Sequence, residues 1–155
     1  MSAMTSPDSS SIVPPAGFTH GVPIQVRWGD LDAMGHVNNA TYLTYLEQAR
    51  VTYFDDLGLW DGSGGGLGLI MARAEIDYRL PIRARDAIIV YTRCTRLGTR
   101  SFDTEQLVAR VDDGGALTIA AQARIVVVVY DYGSGQSAPI PDAWRARLSE
   151  HNPGL

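Results

Sequence analysis

The chain predicts an α+β fold in which a curled antiparallel sheet wraps around one long central helix. Three features of the sequence lead there. Apolar residues between Asn39 and Leu57 recur at three- and four-residue steps, the period of one helix face. From Ile70 onward the period drops to two, and turn-forming residues separate four consecutive strand-like runs. Strands joined by short turns run antiparallel, and a single helix can cover only one of their faces. The other face is left for solvent or a second subunit.

The elements follow in order. Residues 1–17 are rich in Ser, Pro and small side chains and predict a disordered tail. Thr19 to Trp28 alternates loosely, with Ile24, Val26 and Trp28 on one side, and reads as a strand. Tyr42, Leu43, Leu46, Ala49, Tyr53, Phe54 and Leu57 then form the helix stripe, with Asn38 or Asn39 to cap its start and Gly58 to end it. At 1.5 Å per residue this helix is roughly 27 Å long, enough to cross a sheet. Gly62 to Gly68 reads as a flexible connection. Beyond it Ile70, Ala72, Ala74, Ile76, Tyr78 and Leu80 share one strand face and Arg73, Glu75, Asp77 and Arg79 the other, until Pro81 stops the ladder. Strands from Ala87 to Leu97 and from Phe102 to Val111 flank a turn at Gly98 to Ser101, and Asp112 to Gly115 is a second turn. The last strand runs from Leu117 to about Tyr130; Val126 to Val129 is apolar on both faces, which places it inside the sheet. A short helix from Pro141 to about Ser149 follows. Residues 18–150 thus predict a single domain, with 151–155 as a C-terminal tail.

Composition narrows the chemistry. At 155 residues, 45% hydrophobic and 19% charged, the chain is an ordinary globular size and composition. Its net charge of −4 offers no basic footprint for nucleic acid. All 13 basic residues are arginine. The absence of lysine excludes a pyridoxal Schiff base, a catalytic amine and a Walker-type phosphate loop. One cysteine, Cys94, precludes an internal disulfide and sits in an alternating apolar run as a small core residue. His20, His36 and His151 are too scattered for a metal pair, so no metal site is expected. With no basic-then-apolar leader and no run of ~18 apolar residues, the expectation is a cytoplasmic protein with no membrane partner.

The richest chemistry lies in Asp30 to Asn39, Asp-Leu-Asp-Ala-Met-Gly-His-Val-Asn-Asn, between the first strand and the long helix. A carboxylate beside the exposed N–H groups of a helix start can attack, or activate water against, a carbonyl whose oxygen those N–H groups stabilise.

The run Trp28-Gly29-Asp30-Leu31-Asp32-Ala33-Met34-Gly35-His36-Val37-Asn38-Asn39, followed by Tyr42, resembles the signature of hotdog-fold acyl thioesterases of the 4-hydroxybenzoyl-CoA thioesterase family. The likeness extends from about residue 20 to about residue 132, and the predicted element order fits that fold. It implies hydrolysis of acyl-CoA or acyl carrier protein thioesters without metal or organic cofactor. It also implies a homodimer or dimer of dimers with active sites at the subunit interface. Asp32 matches the family's catalytic carboxylate, and Asn39 matches the helix-start residue whose backbone N–H polarises the thioester carbonyl. The turn from Gly98 to Ser101 matches the place where some members contact nucleotide phosphates. Arg100 keeps a basic position there, Gly98 and Thr99 replace others, and Thr99, Arg100 and Ser101 are the substrate-binding candidates. The plant acyl carrier protein thioesterases carry a similar run with asparagine at the position of Met34. A branch that uses a helix glutamate offers Glu47 as a rough counterpart.

Each residue also has a plainer role. Asp32 is a good turn or cap residue, and Asp30 suits backbone N–H bonds or a pair with Arg27. Gly35 permits either a close approach of substrate or a positive φ. His36 is an acid–base candidate by residue type, or a shaper of the loop. Tyr42 and Tyr45 are core aromatics or walls of an acyl tunnel. Glu47 is solvated or paired with Arg50, and Arg96 and Arg100 are edge charges or phosphate contacts. The expected activity is hydrolysis of an acyl-CoA thioester with Asp32 as nucleophile or general base. The alternatives are a non-catalytic acyl-thioester-binding module, an acyl carrier protein thioesterase, or, on weaker grounds, a hotdog dehydratase acting through His36.

Overall fold

The computed structural model describes residues 12–59 and 66–155. The expected tail therefore falls outside the described residues up to 11, and most of the glycine-rich connection does so at 60–65. The elements are β1 (His20–Ile24), α1 (Asn39–Asp56), β2 (Leu67–Tyr78), β3 (Ala87–Leu97), β4 (Ser101–Val111), β5 (Leu117–Asp131), β6 (Gln136–Ser137) and α2 (Asp142–His151). They build one antiparallel sheet in the order β1-β3-β4-β5-β2, with the two-residue β6 beside the end of β5. The fold is the α+β hotdog architecture that the element order predicts.

α1 begins as its cap residue dictates. The Asn38 side chain accepts from the Ala40 amide at 2.9 Å. It ends at Gly58, whose φ of +64° is the left-handed turn that glycine adopts without strain. Its inner face buries Tyr42, Tyr45, Leu46, Ala49, Arg50, Tyr53 and Phe54. The stripe read from the sequence differs at three places. Leu43 is 40% exposed on the helix flank, Tyr45 is buried with its hydroxyl on buried Asp30, and Arg50 is buried against Gln106. Beneath the helix lie Ile88 and Val90 of β3, Phe102 and Val108 of β4, and the alternate residues of β5 from Ala121 to Val129. β5 is an interior strand, as its run of valines requires.

β1 is shorter than the expected strand. The chain leaves the sheet after Ile24 and enters a 3-10 turn at Trp28–Asp30, held by the Asp30 carboxylate on the Arg27 amide at 2.9 Å. β2 also departs from strict alternation. A β-bulge between Met71 and Arg73 puts an extra residue, Ala72, into the ladder. One extra residue reverses which side chains face the core. Leu69 and Met71 lie opposite Val129 and Val127 before it, while Ala74, Ile76 and Tyr78 lie opposite Ile125, Ala123 and Ala121 after it. Ile70 and Ala72 therefore do not share the face of Ile76, as a simple two-residue period would have them do.

On the outer face the charges are paired rather than free. Asp103, 1% exposed, accepts from Arg96 at 2.8 Å and Arg124 at 2.6 Å, and Glu105 takes Arg93 Nε at 2.8 Å and Gln122 at 2.6 Å. Arg96 is thus an ion-paired residue and not a solvated edge charge. The chain end is likewise no loose tail. Asn152 is buried, with its Oδ1 accepting the Cys94 amide at 2.8 Å and the Tyr53 hydroxyl at 3.1 Å, which pins the end of α2 to the core. Cys94 is a core thiol, its pKa pushed up to about 11 by burial. Among the described residues no helix is long and apolar enough to cross a membrane.

Candidate active site

The segment from Asp30 to Asn39 forms a closed loop between the 3-10 turn and α1. Its two ends are stitched together by Asn38 N donating to Asp30 O at 2.9 Å and Asp32 N donating to His36 O at 2.8 Å. It is also anchored to the segment that follows β2, through Val37 N to Ile82 O at 2.8 Å and a bridge between His36 and Arg83. Gly35 turns the loop at φ +77°, with open space where a Cβ would stand. Of the two roles open to this glycine, the structure supplies the positive φ.

The two aspartates differ sharply. Asp30 is 6% exposed, and its Oδ2 accepts from Tyr45 Oη at 2.6 Å and from Arg27 N at 2.9 Å, with the Arg27 guanidinium 3.3 Å from Oδ1. Burial pushes this carboxyl up, but the Tyr45 hydroxyl and the Arg27 amide and guanidinium outweigh it and hold the carboxyl below the usual carboxylate value. In turn burial and the Asp30 charge push the Tyr45 hydroxyl far above its ordinary value. Asp30 is a structural pin. Asp32 is exposed, and its Oδ1 accepts the amides of Met34 at 2.8 Å and His36 at 3.3 Å. Those bonds fix its rotamer while leaving its other oxygen uncommitted among the described residues.

Asp32 opens on a shallow groove of about 240 Å³ shared with His36, Asn39, Tyr42, Tyr78 and Leu80. At the helix start the N–H groups are unequally used. Ala40 N donates to the Asn38 side chain and Thr41 N to the Asn38 carbonyl, both at 2.9 Å, whereas Asn39 N has no acceptor among the described residues. The same groove therefore holds a fixed carboxylate and a free amide at the positive end of a helix. Tyr42 is 2% exposed and packs edge-on against Tyr78 at 5.0 Å, so it forms the floor of the groove as well as part of the core. The Tyr78 hydroxyl donates to the Asn39 carbonyl at 3.0 Å and ties the helix start to the end of β2. Sequence reasoning missed Tyr78 and Leu80 as groove residues. Nothing local marks them, because only the strand's return places them there.

The second predicted cluster lies elsewhere. Ser101 is paired with Val128 and Tyr78 with Ala121, so along β5 the two are seven residues, ~23 Å, apart. The Arg100 guanidinium donates to the Ser137 carbonyl, Thr99 O accepts Ile140 N at 2.9 Å, and Arg96 reaches Ser101 Oγ at 3.5 Å. Within one chain Thr99, Arg100 and Ser101 do not meet Asp32. Glu47 is exposed and forms no ion pair with Arg50, so of its two expected roles the structure leaves the solvated one. Among the described residues no three His, Cys, Asp or Glu side chains gather as a metal site.

Comparison with known proteins shows the family. Residues 26–148 match the Thioesterase-like superfamily. The chain is 26% identical over 137 residues to the long-chain acyl-CoA thioesterase FadM of Escherichia coli, covering 82% of this chain and 95% of that protein. Among solved structures, a thioesterase from Thermus thermophilus complexed with coenzyme A and Zn is 37% identical with a TM-score of 0.75, covering 88% of this chain and 97% of that one. A thioesterase-superfamily structure from Jannaschia sp. CCS1 is 28% identical with a TM-score of 0.81, covering 88% and 85%. The chain belongs to the thioesterase-like superfamily.

Proposed function

We propose that this superfamily member hydrolyses acyl-CoA thioesters, water and thioester giving carboxylic acid and free thiol, in the groove at Asp32. The observation that carries the reading is the pairing of an exposed, rotamer-fixed carboxylate with an amide of the α1 start, Asn39 N, that has no acceptor among the described residues, in a single groove. The free Asp32 oxygen either attacks the thioester carbon, forming a mixed anhydride as thiolate leaves, or takes a proton from the attacking water. In both routes the Asn39 N–H and the helix dipole meet the negative charge that develops on the carbonyl oxygen. Gly35 turns the loop that carries Asp32, Tyr42 forms the floor of the groove, and His36 shapes the loop through its backbone.

The names of the relatives support acyl-CoA as the thioester, since FadM is a long-chain acyl-CoA thioesterase and the Thermus thermophilus protein was solved with coenzyme A. A homodimer supplies the remaining contacts. β2 is the end strand of the sheet, twelve residues long, with Leu67, Met71 and Tyr78 exposed, and such an edge invites pairing. Antiparallel pairing of two β2 edges about a two-fold axis lays the Gly98–Ser101 end of one copy beside the Asp32 groove of the other. Arg100 then has a route to the nucleotide phosphates that it lacks within one chain.

Thiol release from a panel of acyl-CoAs, measured on wild type and Asp32→Asn together with sedimentation, tests the whole reading. Turnover in the wild type, lost in the variant, is the expected result. Equal rates in the two proteins remove Asp32 from the chemistry, and a fully active monomer removes the interface.

A further inference from the structure

Six arginines of the described chain, Arg27, Arg73, Arg93, Arg96, Arg110 and Arg124, contact a carboxylate. Arg50 is more buried than any of these exposed or half-exposed partners, at 8%, yet no carboxylate lies within 4 Å of it among the described residues. Its one hydrogen bond among the described residues is neutral and long, Nη1 to Gln106 Oε1 at 3.3 Å. Gln106 Nε2 donates elsewhere, to Leu46 O at 2.9 Å and Thr92 Oγ1 at 3.0 Å, which turns the amide so that its buried Oε1 faces Arg50. A guanidinium has five donors in a planar fork, and here at most one is engaged. Burial lowers its pKa from the ordinary arginine value, with the charge of Glu47 opposing that from one turn away. A desolvated cation without a counter-ion is costly to keep unless something else meets it.

That guanidinium opens on a trough between α1 and β2 of about 250 Å³, walled by Val51, Phe54, Ile70, Met71 and Val127, with exposed Glu47 beside it. A trough with largely apolar walls, a buried cation and an exposed carboxylate, Glu47, in its lining suits an apolar body ending in an oxygen acceptor, a hydroxyl or carbonyl facing less repulsion from Glu47 than a carboxylate does. Arg50 follows Asn39 by eleven residues on the same helix, ~16 Å along its axis. An extended acyl chain of medium length covers that span and a short one does not.

Resting on the thioesterase reading above, we propose that the trough is the far subsite for the acyl group and that Arg50 is a specificity-determining residue there. The favoured substrates carry a carboxylate, carbonyl or hydroxyl oxygen remote from the thioester. The guanidinium donates two N–H bonds to that oxygen, and the hydrolytic step at Asp32 is unchanged.

The test compares kcat/KM for decanoyl-CoA with that for its ω-carboxy and ω-hydroxy counterparts, by thiol release, in wild type, Arg50→Met and Arg50→Lys. Wild type is expected to favour an oxygenated chain by about tenfold or more, the size of a charge-assisted hydrogen bond. The ratio falls to near one in Arg50→Met, whatever happens to the absolute rate, and stays between the two in Arg50→Lys, which keeps the charge without the fork. The carboxy and hydroxy arms show which oxygen is read. A wild-type ratio near one, or a ratio that Arg50→Met leaves unchanged, overturns the proposal. If Arg50→Met does not fold, the Lys variant decides by the same ratio. Thermal shifts with decanoate against decanol separate this from the thioesterase reading. A wild type that releases no thiol sinks hydrolysis, while a stabilisation by decanoate or decanol that is lost in Arg50→Met sustains the anchor, and the absence of both removes it.

Discussion

Asp30 and Asp32 are the same side chain two residues apart in one loop, and they have become opposite things. Asp30 is buried, touches Tyr45 and Arg27, and closes the structure around itself. Asp32 is exposed, takes only the backbone amides of Met34 and His36, and faces a groove. The difference teaches that partners, and not residue type, divide structural from reactive carboxylates. A buried carboxylate with partners on both oxygens has little left for a substrate, whereas one oriented through a single oxygen is both fixed and available.

The sharpest way to break this contrast is to neutralise each carboxylate in turn. Asp32→Asn keeps an oxygen for the two loop amides and loses the charge, so kcat should fall by roughly 10²- to 10⁴-fold while the melting temperature barely moves. Activity and melting curves on the same preparation check it. Asp30→Ala should do the reverse. It strands the Tyr45 hydroxyl and the Arg27 guanidinium, costing about 2–3 kcal/mol of stability by denaturant unfolding; activity then follows the folded fraction.

Acid sharpens the same contrast with a smaller effect. The Asp30 carboxyl is held low by Tyr45 and Arg27 against its burial, and Asp103 by Arg96 and Arg124 against its own. Both groups bind protons less readily folded than unfolded. The stability they supply is therefore present above ~3.9, the unfolded carboxylate value, and is lost as the pH falls through the lower folded values. Unfolding free energy measured down to pH ~3 should drop below pH ~4, and the drop should be shallower in Asp103→Asn, whose side chain no longer titrates. The smallest effect is expected at Gly35. Its φ of +77° makes Gly35→Ala cost about 1 kcal/mol although nothing crowds the added methyl. A change in melting temperature of a few degrees, with kcat reduced because Asp32 is re-aimed, is the outcome to look for.

Much of the architecture was legible from local pattern. The step from a period of 3.6 to a period of two located α1 and the four long strands, and Asn38 with Gly58 marked the helix ends within a residue or two. The turns at Gly98 and Asp112 stood out because glycine and aspartate meet backbone needs that arise within four residues. What escaped was non-local. The bulge at Ala72 is invisible in alternation because it depends on the register with β5. The two-residue β6 is too short to carry a period. Tyr45 read as a core aromatic, but its partner Asp30 did not show in any local pattern, and nor did the burial of Arg50 against Gln106 across the core.

The candidate site divides the same way. The residues of the Asp30–Asn39 segment could be named from the sequence, since their spacing sets loop, cap and helix start together. The sequence had already set Asp30 aside for backbone bonds or Arg27, but its bond to Tyr45, which amide of the helix start lacks an acceptor, and that Tyr78 and Leu80 complete the groove were decided only by the folded chain. The physical reason is range. Periodicity, capping and turn preference act between residues a few positions apart, where order along the chain is order in space. Burial, counter-charges and the walls of a groove arise between residues 15 to 60 positions apart, as with Tyr45 on Asp30 and Gln106 on Leu46, and these meet only when the sheet curls around its helix.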